Sequence, residues 1–252
     1  MNLTHSEVTL QGANMTHHSN SLKFGLSLIL GLAISSYAQV DACSETMGHT
    51  GNGTTITNNQ TGSISGTPWG FEIWFDGGNN SMTYYNNGTF KAQWSGSNDF
   101  LARVGYRYGD NGPGIDHNDY HFTVDYKYTK QSQSAGYGYI GVYGWTVNPQ
   151  VEYYIVDDWY SKPNTQYIGD QFGEITVDGA KYTIHAFLRQ EEPSKTGTST
   201  FLQIFSVRQT PRQCGHIDIS AHFKKWEEIF TGQKETLKGS KGGGSATLKF
   251  GK

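Results

Sequence analysis

From Trp69 onward the chain alternates apolar and polar positions with a period of two, in one short run after another. In Val151 to Val156 the alternation puts Glu152, Tyr154 and Val156 on one face and Val151, Tyr153 and Ile155 on the other. His121 to Tyr126, Tyr182 to Arg189 and Phe201 to Arg208 repeat the pattern. In Tyr137 to Trp145, the side chains of Tyr137, Tyr139, Tyr143 and Trp145 share a face opposite Ile140 and Val142. An aromatic stripe usually belongs to a core, but here the aliphatic face already supplies one. The aromatic face is then free to line a groove, and flat rings with hydroxyl tips suit sugar rings. Asn86-Asn87-Gly88 between aromatic runs predicts a hairpin turn, and Asn87-Gly88-Thr89 also reads as a glycosylation sequon. Only Ala221 to Phe230 keeps helical spacing, through Phe223, Trp226 and Phe230, with Ser220 as the expected N-cap.

Many strands and one helix predict an all-β fold, a two-sheet antiparallel sandwich of jelly-roll type with a curved inner sheet and one α-helix. Residues 39–66, rich in Gly, Asn and Thr, are expected to form an irregular extension to a domain spanning 67–252. Gly239 to Ser245 reads as a turn or linker, lacking the spacing of a phosphate loop.

The length suits one large β domain with a sizeable core. Charged residues are few, and the formal net charge of −3 argues against a nucleic-acid partner, whose binding needs a basic face. Lys23 precedes an apolar run from Phe24 to Ile34, and Ser36-Tyr37-Ala38 puts small residues where a signal peptidase reads. Residues 1–38 are therefore expected to be a signal region cleaved after Ala38, with Met15 as an alternative start. The run is too short to span a bilayer, so the mature protein is expected to be secreted, without a membrane partner. The nine histidines show no metal-ligand spacing, and neither a metal nor another cofactor is expected.

A glutamate on a strand is ordinarily a solvated surface residue, but Glu152 sits among aromatic rings, an expensive place for a charge. The string around it, Tyr143-Gly144-Trp145 and then Asn148-Pro149-Gln150-Val151-Glu152-Tyr153-Tyr154-Ile155-Val156, resembles the nucleophile segment of family-eleven glycoside hydrolases. These are small secreted endo-β-1,4-xylanases with a concanavalin-like jelly roll. The resemblance covers roughly Trp69 to Phe230. It implies xylan or xylo-oligosaccharides as substrate, a monomer, and retaining hydrolysis with Glu152 as nucleophile.

Other positions follow by motif. Trp74 resembles the tryptophan that stacks on the sugar, and Tyr143 and Tyr154 resemble the tyrosines beside the nucleophile. Gln203 is similar to the glutamine that orients the nucleophile, and Arg189 to the cleft arginine. Gln190 to Thr196, with Pro193-Ser194, looks like the hairpin "thumb" over the cleft, although Lys195 and Phe205 depart from the usual isoleucine and tryptophan. Asp99 aligns with the partner of the acid/base glutamate, and aspartate there accompanies a more acidic working range; a plain turn aspartate is the alternative. Rumen-type members pin an N-terminal extension with a disulfide, which implies a Cys43–Cys214 bridge here, with two free thiols as the alternative.

Retaining hydrolysis needs a second carboxyl ~5–5.5 Å from the first. In the family it lies on a strand after the helix, in a Glu-Gly or Glu-Ala context. Past Trp226 this chain offers only Glu227, Glu228 and Glu235. The first two belong to the helix and the third lies too early, so the acid/base is expected beyond residue 252, on a strand that 246–252 begins, with Glu235 serving instead as the alternative. A non-catalytic carbohydrate-binding module and a β-1,4-glucanase of related fold are the competing readings.

Overall fold

The computed structural model describes residues 6–19, 41–44, 48–106, 117–131, 137–146, 149–230 and 242–251, the first and last of these through their backbones. In chain order the strands are β1 (Ser6–Ser19), β2 (Thr54–Ile56), β3 (Gln60–Ser63), β4 (Trp69–Asp76) and β5 (Ser81–Tyr84). Next come β6 (Phe90–Trp94), β7 (Asp99–Tyr106), β8 (Tyr120–Gln131), β9 (Tyr137–Thr146) and β10 (Val151–Trp159). The last five are β11 (Asp170–Val177), β12 (Ala180–Ser194), β13 (Gly197–Arg208), β14 (Cys214–Asp218) and β15 (Gly242–Gly251). Two helices, α1 (Thr165–Ile168) and α2 (Ile219–Ile229), interrupt the series.

The strands form a six-stranded sheet, β14-β8-β1-β6-β5-β2, and a nine-stranded sheet, β11-β12-β13-β10-β9-β15-β7-β4-β3. Pairing is antiparallel except between β10 and β13, which run parallel. The expected sandwich is present, and its alternation decides what is buried. Phe100, Ala102 and Val104 of β7, Ile140 and Val142 of β9, and Val151, Tyr153 and Ile155 of β10 meet Phe90, Ala92, Phe122 and Val124 of the other sheet. Each large side chain so buried stabilises the fold by roughly 1.5–3 kcal/mol. β10 is buried on both faces, because its alternate residues enter a second cluster with Tyr139, Tyr143 and Phe205 on the far side of the nine-stranded sheet.

The hairpin predicted at Asn86-Asn87-Gly88 joins β5 to β6, with Gly88 at φ 78°, a conformation a side chain would strain. Helix α2 is as predicted but starts differently. Asp218 is the N-cap, its Oδ1 accepting from Ala221 N at 2.9 Å, while Ser220 Oγ accepts from Phe122 N at 2.8 Å and ties the helix to β8. Phe223 and Trp226 pack on Tyr153, and Trp226 Nε1 donates to Ser206 Oγ at 2.9 Å. His222 is fully buried with no partner on either ring nitrogen; burial pushes its pKa down to about 3, so it packs as a neutral ring against Tyr182.

Several expectations change. The stretch 39–66, expected to be irregular, supplies β2 and β3, each at a sheet edge where little apolar alternation is needed. Part of the presumed linker 239–245 is strand, since β15 begins at Gly242. Ser6–Ser19, within the segment read as a signal, is β1, paired with β6 and β8; Ala38 lies outside the described residues. The short α1, capped by Asn164, has too few residues to show a period. The disulfide that the resemblance implied is present: Cys43 and Cys214 are joined, S–S 2.10 Å, which fastens the segment around Cys43 to the start of β14.

Candidate active site

Glu152 leaves the middle of the nine-stranded sheet on the face away from the core, and it is 5% exposed. Register decides its neighbours. It pairs with Trp145 across the antiparallel ladder and with Gln203 across the parallel one, while Tyr154, two residues on, pairs with Tyr143. The hydroxyls of Tyr143 and Tyr154 both donate to Glu152 Oε1, at 2.8 and 2.7 Å, and Gln203 Nε2 donates to Oε2. Trp145 Nε1 donates to the Tyr143 hydroxyl at 2.7 Å, which orients that hydroxyl's own proton toward the carboxylate. Burial, and then the charge of Glu152, hold both tyrosines well above the usual phenol range, so they remain donors. The result is a carboxyl group held at both oxygens by the hydroxyls of Tyr143 and Tyr154 and the amide of Gln203, which fixes where it points.

These residues floor a cleft of about 550 Å³. The structure brings Trp74, Asp99, Tyr143, Glu152, Arg189, Pro193 and Gln203 into its lining. Tyr154 lies beneath, stacked on Phe205 at 4.4 Å, so the ring of phenylalanine fills part of the place expected for tryptophan. Trp74 is 43% exposed, an indole face open to a ligand. Arg189 is engaged with Glu192 at 3.3 Å, and Lys195 joins the lining from the hairpin between β12 and β13. Asp99 accepts from Phe100 N at 2.9 Å and faces Asp76 and Gly251 on the strands beside it.

Among the lining residues that the sequence reading missed, besides Thr61 and Leu101, are two charged ones on β4 and β7. Glu72 and Arg103 stand opposite each other in the β4–β7 ladder, and Arg103 Nε donates to Glu72 Oε2 at 2.7 Å. The guanidinium lies 5.0 Å from the Tyr143 ring. Burial opposes its charge most strongly, but Glu72, Tyr143 and Tyr153 together outweigh it and the Arg103 pKa is raised. The signal was available: Glu72 shares the face of Trp74, and Arg103 that of Asp99.

Of the described carboxyls past Trp226, neither Glu227 nor Glu228 enters the cleft lining. Glu227 pairs with His117 at 2.8 Å and Glu228 with Lys225 at 2.9 Å, both on α2; Glu235 lies outside the described residues. β15 lies between β7 and β9, and residues 242–251 include neither Asp nor Glu.

Comparison with known proteins agrees with this geometry. Residues 68–236 match the model of glycosyl hydrolases family 11. Endo-1,4-beta-xylanase C of Fibrobacter succinogenes is 46% identical over 245 residues, covering 91% of this chain and 39% of that protein. Endo-1,4-beta-xylanase S20 of Neocallimastix patriciarum is 42% identical, covering 89% and 68%. A crystal structure of an ENZbleach xylanase mutant superposes with a TM-score of 0.76 at 32% identity, covering 86% of this chain and 88% of that one. The chain thus spans about two fifths of its Fibrobacter relative and about two thirds of the Neocallimastix one. By its match over residues 68–236 and by its sandwich, cleft and shared identity with these proteins, the chain belongs to glycosyl hydrolases family 11.

Proposed function

We propose that the protein is a secreted endo-1,4-β-xylanase that retains anomeric configuration, with Glu152 as the nucleophile. The observation that carries this reading is the carboxylate of Glu152, held at both oxygens by Tyr143, Tyr154 and Gln203 on the floor of an aromatic cleft. Attack by Glu152 on the anomeric carbon breaks the glycosidic bond and forms a glycosyl ester, which water then opens from the same face. Trp74 stacks on the sugar, and the Tyr143 and Tyr154 hydroxyls hold the attacking carboxylate in line. Both steps need a proton relay. Its carboxyl is supplied by a residue other than those of β15.

The acid-free sequence of β15 favours one second reading, a chain that holds xylan without cutting it. Leaving-group chemistry separates the two. The phenolate of an activated β-xylobioside departs without protonation, so the chain should cleave this substrate with retention whichever residue protonates the leaving oxygen of xylan. Inversion, or no release of the phenol, contradicts the double displacement. A matching β-cellobioside tests xylan against glucan specificity.

Export is part of the proposal, and the Cys43–Cys214 bridge supports an oxidising destination. Cleavage after Ala38 would separate β1 from the six-stranded sheet. Intact-mass analysis of secreted protein should give a chain starting at Gln39; one retaining Ser6–Ser19 would overturn the leader assignment and keep β1 in the mature fold.

A further inference from the structure

The hairpin of β12 and β13 that overhangs the cleft is tied at its tip to the segment leading into β10, and Gln150 makes the tie. Its Nε2 donates to Ser199 Oγ at 2.8 Å, and its Oε1 accepts from Thr196 Oγ1 at 3.1 Å. The bonds continue in one direction: Ser199 Oγ donates to Ser194 Oγ at 2.8 Å, and Ser194 Oγ donates to Gly197 O at 2.6 Å. Both ends of the Gln150 amide are therefore used, and each hydroxyl of the chain has a defined acceptor.

Gln150 itself is firmly placed. Thr146 Oγ1 donates to Pro149 O at 2.5 Å and accepts from Val151 N at 3.0 Å, closing the turn on either side of it. At the other end of the hairpin the ladder slips between Arg189 and Glu192, and Glu191 adopts φ 52°, a left-handed conformation that costs a residue with a side chain about 1–3 kcal/mol. The hairpin is thus bent at its base and fastened at its tip, with Pro193, Ser194 and Lys195 over the cleft between those two points.

We propose that Gln150 is a latch that holds this hairpin closed over bound glycan, a positioning residue that sets how fast the ligand leaves. The proposal rests on the xylan-cleft reading above for its ligand, but the latch itself is readable without one. Replacing Gln150 by Leu keeps the bulk and removes both bonds; Gln150→Glu keeps an acceptor for Thr196 and loses the donor to Ser199.

The experiment is amide hydrogen exchange of the full chain, with xylohexaose dissociation followed by tryptophan fluorescence, since Trp74 and Trp145 line the cleft. In Gln150→Leu the exchange of 194–200 should rise about tenfold while β10 amides keep their protection, and xylohexaose should leave about tenfold faster, the loss expected for two modest hydrogen bonds. Gln150→Glu should fall between, and Ser199→Ala should reproduce part of the effect from the hairpin side without adding fully to Gln150→Leu. Unchanged exchange at 194–200 in both Gln150→Leu and Ser199→Ala overturns the latch. So does faster exchange with an unaltered dissociation rate. If the wild type binds no xylohexaose, the xylan reading fails and with it the ligand-retaining role, whereas the exchange data still report whether the tie exists.

Discussion

Glu152→Gln should lower turnover of an activated aryl β-xylobioside by roughly 10⁴-fold or more, because it removes the attacking oxygen while leaving the cleft in place. The substitution is nearly isosteric. One amide oxygen still accepts from Tyr143 and Tyr154, although the new amide nitrogen meets Gln203 Nε2 donor to donor, so some reorientation of Gln203 is expected. Xylo-oligosaccharide affinity should change much less than turnover, since Trp74 and the hairpin that bears Pro193 do not depend on the charge. Steady-state kinetics alongside calorimetric titration checks this. Equal losses in affinity and rate would make Glu152 a binding residue.

The largest effect on stability is expected at Asp157, which lies at the other end of β10 and is fully buried. Its Oδ1 accepts from the Tyr182 hydroxyl at 2.5 Å, and its Oδ2 from Tyr126 at 2.5 Å and from Arg212 Nε at 2.6 Å. A register slip between Val156 and Asp158 turns both Asp157 and Asp158 toward the six-stranded sheet, where Asp158 meets Tyr128 and Lys130. Asp157→Ala leaves two phenols and a half-buried guanidinium facing a void. The expected loss is about 3–5 kcal/mol, the cost of breaking a buried ion pair from one side. Asp157→Asn should also lose stability, though less, since its amide oxygen can serve only one side of the site while its nitrogen meets either Tyr182, or Tyr126 and Arg212, donor to donor. Urea unfolding measures this, and a loss below about 1 kcal/mol for both variants would show that Arg212 and the tyrosines find other partners.

The difference between these two sites also shows what the chain discloses before it is folded. Glu152, Tyr154, Tyr143 and the aromatic stripe were legible because strand alternation is local, and the stripe's face follows from its own residues. Tyr139, Tyr143 and Trp145 indeed lie on the face away from the core, Tyr143 and Trp145 lining the cleft, while Ile140 and Val142 enter the core. Asp157 was illegible for the opposite reason. A bulge changes the face of every residue after it, and nothing in Val156-Asp157-Asp158-Trp159 announces one. Glu72 and Arg103 pair only because β4 and β7 are adjacent in a given register, and Gln150 meets Ser199 only because β10 and β13 run side by side. Such contacts depend on strand order, which hydropathy does not encode. Ser220 and Asp218 are both good caps, and the choice between them was settled by the tie of Ser220 to Phe122 N.

The roles of Gln203, Arg189 and Asp99 came from resemblance, not from periodicity, and the structure bears on each differently. Gln203 touches the carboxylate; Arg189 is engaged with Glu192; Asp99 lines the cleft opposite Asp76 in the β4–β7 ladder.

The central claim is that Glu152 forms a covalent bond to the sugar. A β-xylobioside carrying fluorine beside the reacting carbon and dinitrophenolate as leaving group tests it most directly. The phenolate leaves without a proton donor, and the fluorine slows hydrolysis of the ester, so the adduct accumulates. Proteolysis and mass spectrometry of the treated chain should find one added xylobiosyl group, on the peptide containing Glu152, and none in Glu152→Gln. A label on another carboxylate, or phenolate release without any label at Glu152, would contradict the account.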